Sequence, residues 1–189
     1  MIQIFITMEN NQTSATKHSF TYGMIIGVIM IALTLIYYVL DINTMDKSNR
    51  WTGWISTVIM FAGMTYAAVN YRNKQLGGYI SYGKSFSIHF FTGLFSGIVS
   101  GLFMILFMSF VGAEFTQQVL DQAEEEMLKQ NPNMTDEQID MALKFTGWML
   151  HPVSIGILGV LSAAFLGAIY GLIASIFVKK EDPNLPPVV

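Results

Sequence analysis

The chain has no cysteine and few charged residues, and each shortage excludes a class of protein. Without cysteine there are no disulfide bonds, thiolate nucleophiles, iron–sulfur clusters or cysteine-bound zinc ions. Acidic and basic side chains make up 12% of the 189 residues, while 52% are hydrophobic. Soluble domains carry about 25% charged residues, so this chain has too few charges to cover a surface in water. We expect lipid to solvate part of it.

Four apolar stretches are each long enough to cross a bilayer, which takes about 20 helical residues. They cover about residues 20–40, 51–71, 86–112 and 152–178. None contains Asp, Glu, Lys or Arg, and several aromatic residues lie near their ends, where such rings favour the headgroup layer. We therefore predict an all-α fold, an integral membrane four-helix bundle over residues 20–178.

The two ends of the chain lie outside these stretches. Residues 1–19 form an N-terminal tail that lacks the basic, apolar and small-residue regions of a secretory signal peptide. We expect translation to begin at Met8, which makes residues 1–7 an upstream extension. Residues 179–189 contain three prolines, which cannot continue a helix, and are predicted to be a disordered tail.

The positions of Lys and Arg predict the orientation, because cytoplasmic segments next to the spans carry an excess of both. Six lie before span one, between spans two and three, or after span four: Lys17, Arg72, Lys74, Lys84, Lys179 and Lys180. Four lie on the opposite side: Lys47, Arg50, Lys129 and Lys144. We predict that both ends of the chain are cytoplasmic.

Residues 113–150, between spans three and four, have a different composition. They hold eight acidic residues and only two lysines. Apolar residues recur every four positions from Phe115 to Met127, which predicts a helix, and Pro132 follows. Thr135 to Gln138 has the pattern of a capping box, which begins a second helix. We predict an acidic helical hairpin outside the membrane, which is either a cap that binds a partner or a plain solvated connection.

Small residues at four-residue spacing mark the packing faces of the spans. In lipid, helices associate through close contact, which small side chains permit. Those of spans three and four are Gly93, Gly97, Gly101, Gly159, Ala163, Gly167 and Gly171. The glycines of span three could pack within the bundle or form a homodimer face, and we favour packing within the chain.

His89 is the only histidine inside a predicted span, and it is the one weak candidate for a functional site. It lies about one turn inside span three, so we expect a hydrogen-bonded, snorkelling or headgroup-contacting side chain rather than a proton relay. The three histidines are not expected to converge on a metal. No nucleophile, phosphate-binding or nucleic-acid-binding motif is present. We predict no catalytic residue, cofactor, metal or nucleic acid partner.

Several motifs resemble a known family. They are Tyr22-Gly-Met-Ile-Ile-Gly27 at the start of span one, Ile80-Ser-Tyr-Gly83 with Phe86 at the start of span three, and the closing segment from Gly171 to Glu181. Together with the acidic insertion, they resemble bacterial membrane proteins of the family called domain of unknown function 4199, over residues 17–181. The resemblance implies a small four-span protein of a bacterial inner membrane and brings no activity with it.

We expect an uncharacterised, non-enzymatic membrane protein that acts through assembly. Besides the lipid bilayer, its partner would be a second copy or another membrane protein, bound through span three or the acidic hairpin. The alternative is a small transporter or channel component, although no span carries the mid-membrane carboxylate that ion coupling usually needs. A membrane-embedded enzyme is the third possibility.

Overall fold

A computed structural model describes residues 13–44 and 46–183, and this part of the chain is helical. Its helices are α1 (Ala15–Val39), α2 (Trp51–Gln75), α3 (Tyr82–Gln130), α4 (Asp136–Leu150) and α5 (Pro152–Val178), with a 3₁₀ turn at Lys47–Asn49. α1, α2, α3 and α5 are long and apolar enough to cross a membrane. The predictions of an all-α chain and of four membrane-length helices are confirmed.

The boundaries of several elements follow from local chemistry. α1 begins at Ala15, earlier than predicted, because the Ser14 hydroxyl caps it by accepting a hydrogen bond from the Lys17 amide. The chain turns after α2 at Gly77 and Gly78, whose φ angles are +64° and +97°. Only glycine adopts such angles without a steric cost.

The two tails are described only in part. The proposed start at Met8 lies outside the described residues, as does the end of the predicted disordered tail. Within the described part of that tail, Lys180 exchanges two backbone hydrogen bonds with Ile80, at 2.9 and 3.0 Å. The start of the tail is thereby joined to the segment before α3.

The chain divides into two compact units, residues 1–99 with 161–189 and residues 100–160. The first unit contains α1, α2, the N-terminal part of α3 and the C-terminal part of α5. Its core has two clusters, one around Ala67, Ala68 and Ile88 and one around Met60 and Met64. Large apolar side chains cover its outer faces, including many on α1 and α5. A surface this apolar suits lipid rather than water.

The second unit contains the rest of α3, α4 and the N-terminal part of α5. The predicted capping box at the start of α4 is confirmed: the Thr135 hydroxyl accepts from the Gln138 amide at 3.4 Å, and the Gln138 side chain accepts from the Thr135 amide at 3.1 Å. Two helices separated by a turn at 131–135 therefore occur where the sequence predicts them.

Candidate functional site

His89 lies in the packed interior of the first unit. Its side chain is 0% exposed, and Nδ1 donates a hydrogen bond to the Ser85 carbonyl oxygen at 2.9 Å. A carbonyl oxygen only accepts, so Nδ1 carries a proton, and in the neutral imidazole Nε2 then carries a lone pair. Nε2 has no hydrogen-bond partner among the described residues. This buried position fits the expected hydrogen-bonded side chain and does not fit snorkelling or headgroup contact.

His89 belongs to a line of buried polar residues that the sequence interpretation did not recognise. Ser85, His89, Thr92 and Ser96 are all buried. Their spacing of four, three and four residues places them on one face of α3. That spacing is visible in the sequence and could have identified the line. We call these four residues the polar line.

Other helices of the first unit add buried polar contacts, one of them directly to the polar line. The Ser175 hydroxyl of α5 donates to the Ser85 hydroxyl at 2.9 Å. From α1, the Ser19 hydroxyl donates a long 3.5 Å hydrogen bond to the Ile88 carbonyl oxygen of α3. His18 of α1 donates from Nε2 to the Ala67 carbonyl oxygen of α2 at 2.9 Å. Buried polar contacts thus connect all four helices of this unit.

Aromatic and basic side chains surround this polar region. The His18 ring lies 4.6 Å from the Tyr22 ring and 5.0 Å from the Tyr71 ring, centroid to centroid. Arg72 donates to the carbonyl oxygen of Val178 at 2.9 Å. Val178 is the last residue of α5, so its carbonyl oxygen has no N–H partner within the helix. Tyr82 donates to the Leu172 carbonyl oxygen at 3.0 Å. These bonds join the C-terminal part of α2 and the first residue of α3 to the last two turns of α5.

The polar line is tightly packed against α5. A Cβ atom added to Gly171 would lie 3.0 Å from the His89 Cβ, and one added to Gly167 would lie 3.0 Å from the His89 carbonyl oxygen. Within the described residues, no group of three or more His, Cys, Asp or Glu side chains could hold a metal ion. What this arrangement can do chemically is fix the helices in register through hydrogen bonds and backbone contact.

The predicted packing residues differ in what they contact. A Cβ on Gly93 would lie 2.7 Å from the Ala163 carbonyl oxygen and 3.1 Å from the Gly167 Cα, so α3 and α5 meet backbone to backbone in the first unit. In the second unit, a Cβ on Gly101 would lie 2.8 Å from the Gly156 carbonyl oxygen. Ala163 and Gly97 are buried.

Gly159 differs from these residues. It is exposed, and an added Cβ would meet nothing within 4 Å in the described part of the chain. The structure therefore brings most of the predicted small residues into contact between α3 and α5 but leaves Gly159 on the outer surface of α5.

The described ion pairs lie at exposed positions. Lys129 pairs with Glu125 at 2.6 Å and Lys144 with Asp140 at 2.7 Å. Exposed pairs of this kind contribute little stability. Before α2, the Asp46 carboxylate accepts hydrogen bonds from the amide and hydroxyl of Ser48, which lower the pKa of Asp46 below its ordinary value. No enzymatic role follows from these charges.

One comparison with known proteins gives a match. A family model described as "Protein of unknown function (DUF4199)" matches residues 21–180. The match begins within α1 and ends at the residue that pairs with Ile80, so it includes the polar line and α4. No curated protein and no solved structure matches the chain.

Proposed function

The chain belongs to the DUF4199 family of proteins of unknown function, and we propose that it is a non-enzymatic, multi-span protein of the bacterial inner membrane that acts by assembly. Its partner is a second copy or another membrane protein. The observation that carries this proposal is the open position of Gly159 on α5.

Gly159 leaves a gap among large exposed side chains on the surface of α5. Its neighbours Ile157 and Leu158 are large and exposed, whereas Gly159 has no side chain, and a Cβ added to it would meet no described atom of another element within 4 Å. In membranes, small residues on a helix surface let the backbone of another helix approach closely. The other small residues of α3 and α5 with described contacts are already covered within the chain. Among the packing residues predicted for α3 and α5, Gly159 is therefore one that a second helix could still approach.

The polar line supports a structural role over a catalytic one. Its members are Ser, Thr and His, and His89 packs against Gly167 and Gly171 of α5. Two of its hydrogen bonds run from His89 to the Ser85 carbonyl oxygen and from Ser175 to the Ser85 hydroxyl. Acid–base chemistry needs a positioned donor and acceptor within reach of a bound substrate. Close packing against Gly167 and Gly171 leaves little room for one beside His89.

The length of α3 supports a hairpin outside the hydrocarbon layer. α3 has 49 residues, which at 1.5 Å per residue is about 70 Å. The hydrocarbon core is about 30 Å thick. Its apolar part ends near Gly112, and Glu114 is the first charged residue after that part. With both chain ends cytoplasmic, this hairpin would face away from the cytoplasm, and its excess of acidic residues would suit a basic partner surface.

The assembly proposal is tested by replacing Gly159 with leucine. In nanodiscs or mild detergent, Gly159→Leu is expected to reduce the cross-linked oligomer or the co-purified partner about tenfold, equivalent to about 1.4 kcal/mol. Gly53→Leu is the matched control, because Gly53 is also an exposed helical glycine with nothing described within 4 Å. Equal losses in both variants, or a wild-type protein that stays monomeric without a partner, would contradict assembly through Gly159.

The alternative, a transporter or channel component, has one observation in its favour. His89 Nε2 and the Thr92 hydroxyl lie three residues apart on α3, and both are buried without a hydrogen-bond partner in the described chain. Such atoms could contact a permeating ion or proton. Flux into proteoliposomes that contain only the purified protein, lost in His89→Leu, would favour this alternative over assembly.

A further inference from the structure

Helix α4 has a face of exposed apolar side chains. Met141, Phe145 and Trp148 are 67%, 61% and 62% exposed. At about 100° per residue, their spacing places all three within about 60° of one another around the helix. The rings of Phe145 and Trp148 stack, with centroids 6.0 Å apart and planes inclined by 27°. We call Met141, Phe145 and Trp148 the aromatic face.

Around the rest of α4, one side is buried and another is charged. Ile139 is buried and marks the side that packs within the chain. Between that side and the aromatic face lies a charged sector, which holds Asp136, Glu137, Asp140 and Lys144. A helix with a charged sector and an exposed apolar face is typical of a boundary between water and an apolar phase.

Along the chain, the aromatic face is followed by exposed apolar side chains of α5, and α3 carries others in the same unit. A single residue, His151, separates the end of α4 from the start of α5. On α5 the next exposed apolar side chains are Val153 and Ile157, and on α3 Leu102, Leu106 and Phe110 are exposed. α3 and α5 are two of the four helices that can cross the membrane. The aromatic face is therefore contiguous along the chain with a surface that lipid would contact.

We propose that the aromatic face of α4 is inserted in the interfacial layer of the lipid bilayer. Tryptophan favours this layer because its ring is apolar while its N–H can hydrogen-bond to headgroups or water. The charged sector carries three acidic residues and one lysine, so attraction to anionic lipid does not drive the insertion. Burial of apolar area drives it instead. This inference requires only that α3 and α5 cross the membrane, and it is independent of assembly through Gly159.

The absence of native cysteine permits a direct test with single spin labels. Phe145→Cys and Trp148→Cys place a label on the aromatic face, and Asp140→Cys and Lys144→Cys place matched controls on the charged sector. All four side chains are exposed, so no core contact is lost. In nanodiscs of zwitterionic phosphatidylcholine, we expect the labels at 145 and 148 to collide mainly with oxygen, and those at 140 and 144 mainly with a water-soluble nickel complex.

Each other outcome overturns the proposal. Preferential collision with the nickel complex at all four sites would mean that the aromatic face lies in water. Low collision with both reagents at 145 and 148 would mean that protein covers it, from a partner or from a second copy. Oxygen contact that appears only after anionic lipid is added would contradict insertion by apolar burial. If a labelled variant at 145 or 148 fails to fold, Met141→Cys replaces it with the same expected result.

Discussion

At the scale of single residues, His89 and Thr92 matter most because each holds a buried polar atom without a described partner. An unsatisfied polar group costs free energy relative to one that is bonded. Ser85, also in the polar line, does have a hydrogen-bond partner, because its hydroxyl accepts a hydrogen bond from Ser175. The polar line thus contains both satisfied and unsatisfied groups within two turns of α3.

Thr92→Val and Ser85→Ala are expected to change stability in opposite directions. Thr92→Val removes an unsatisfied hydroxyl at nearly constant shape and should stabilise the protein by about 1 kcal/mol. Ser85→Ala removes an interhelical hydrogen bond and should cost about 0.6 kcal/mol, the average for such bonds in membranes. Reversible unfolding in mixed micelles measures both. A Thr92→Val protein less stable than Ser85→Ala would show that the Thr92 hydroxyl is bonded after all.

At the scale of elements, α3 and α5 define the fold through direct backbone contact. Gly93 meets the carbonyl of Ala163 in the first unit, and Gly101 meets that of Gly156 in the second. A carbonyl group is part of a helix backbone and cannot rotate away as a side chain can. Even one methyl group at Gly93 must therefore push the helices apart.

Gly93→Ala is expected to destabilise the chain, whereas Gly159→Ala is not. Overpacking at Gly93 should cost about 1–3 kcal/mol. At Gly159 the added methyl meets open space, and the better helix propensity of alanine should leave stability equal or raise it by up to about 1 kcal/mol. Thermal unfolding in detergent compares the two variants. Equal losses of stability in the two variants would indicate that α3 and α5 are farther apart at Gly93 than in the structure.

At the scale of the whole molecule, the proposed orientation places the turn before α3 and the turn before α4 on opposite sides of the membrane. The segment around Arg72 and Lys74 carries basic residues next to a span, whereas the hairpin is acidic. Two exposed asparagines can be replaced without disturbing the core: Asn73 in the last turn of α2, just before the first of these turns, and Asn133 within the second. The orientation can thus be read from two single-cysteine variants.

Asn133→Cys is expected to react with a membrane-impermeant maleimide added to intact spheroplasts, and Asn73→Cys only after the membrane is permeabilised. The physical reason is the positive-inside bias of Lys and Arg. The Cys-free wild type supplies the blank, and denatured samples of both variants supply the value for complete labelling. The reverse pattern would invert the proposed topology, and labelling of both in intact spheroplasts would exclude four membrane crossings.

The apolar spans, the break between α3 and α4, and the cap at Thr135 can all be predicted from the sequence alone. Each of these depends on neighbours along the chain. A hydrocarbon core admits only a continuous apolar segment, and a capping box needs only Thr135 and Gln138 in one turn. In α4, charged and apolar residues also alternate strongly enough for their spacing alone to indicate a helical period.

Which sides of the four membrane-length helices face protein follows only from how the helices pack against one another. A helix in lipid is apolar on every side, so its sequence offers little contrast between a face that packs and a face that contacts lipid. Gly159 and Gly93 look alike in the sequence, yet one is open and the other touches Ala163. His89 likewise could have pointed to the headgroups, but the packing of α5 against α3 encloses it beside Ser85, Thr92 and Ser96.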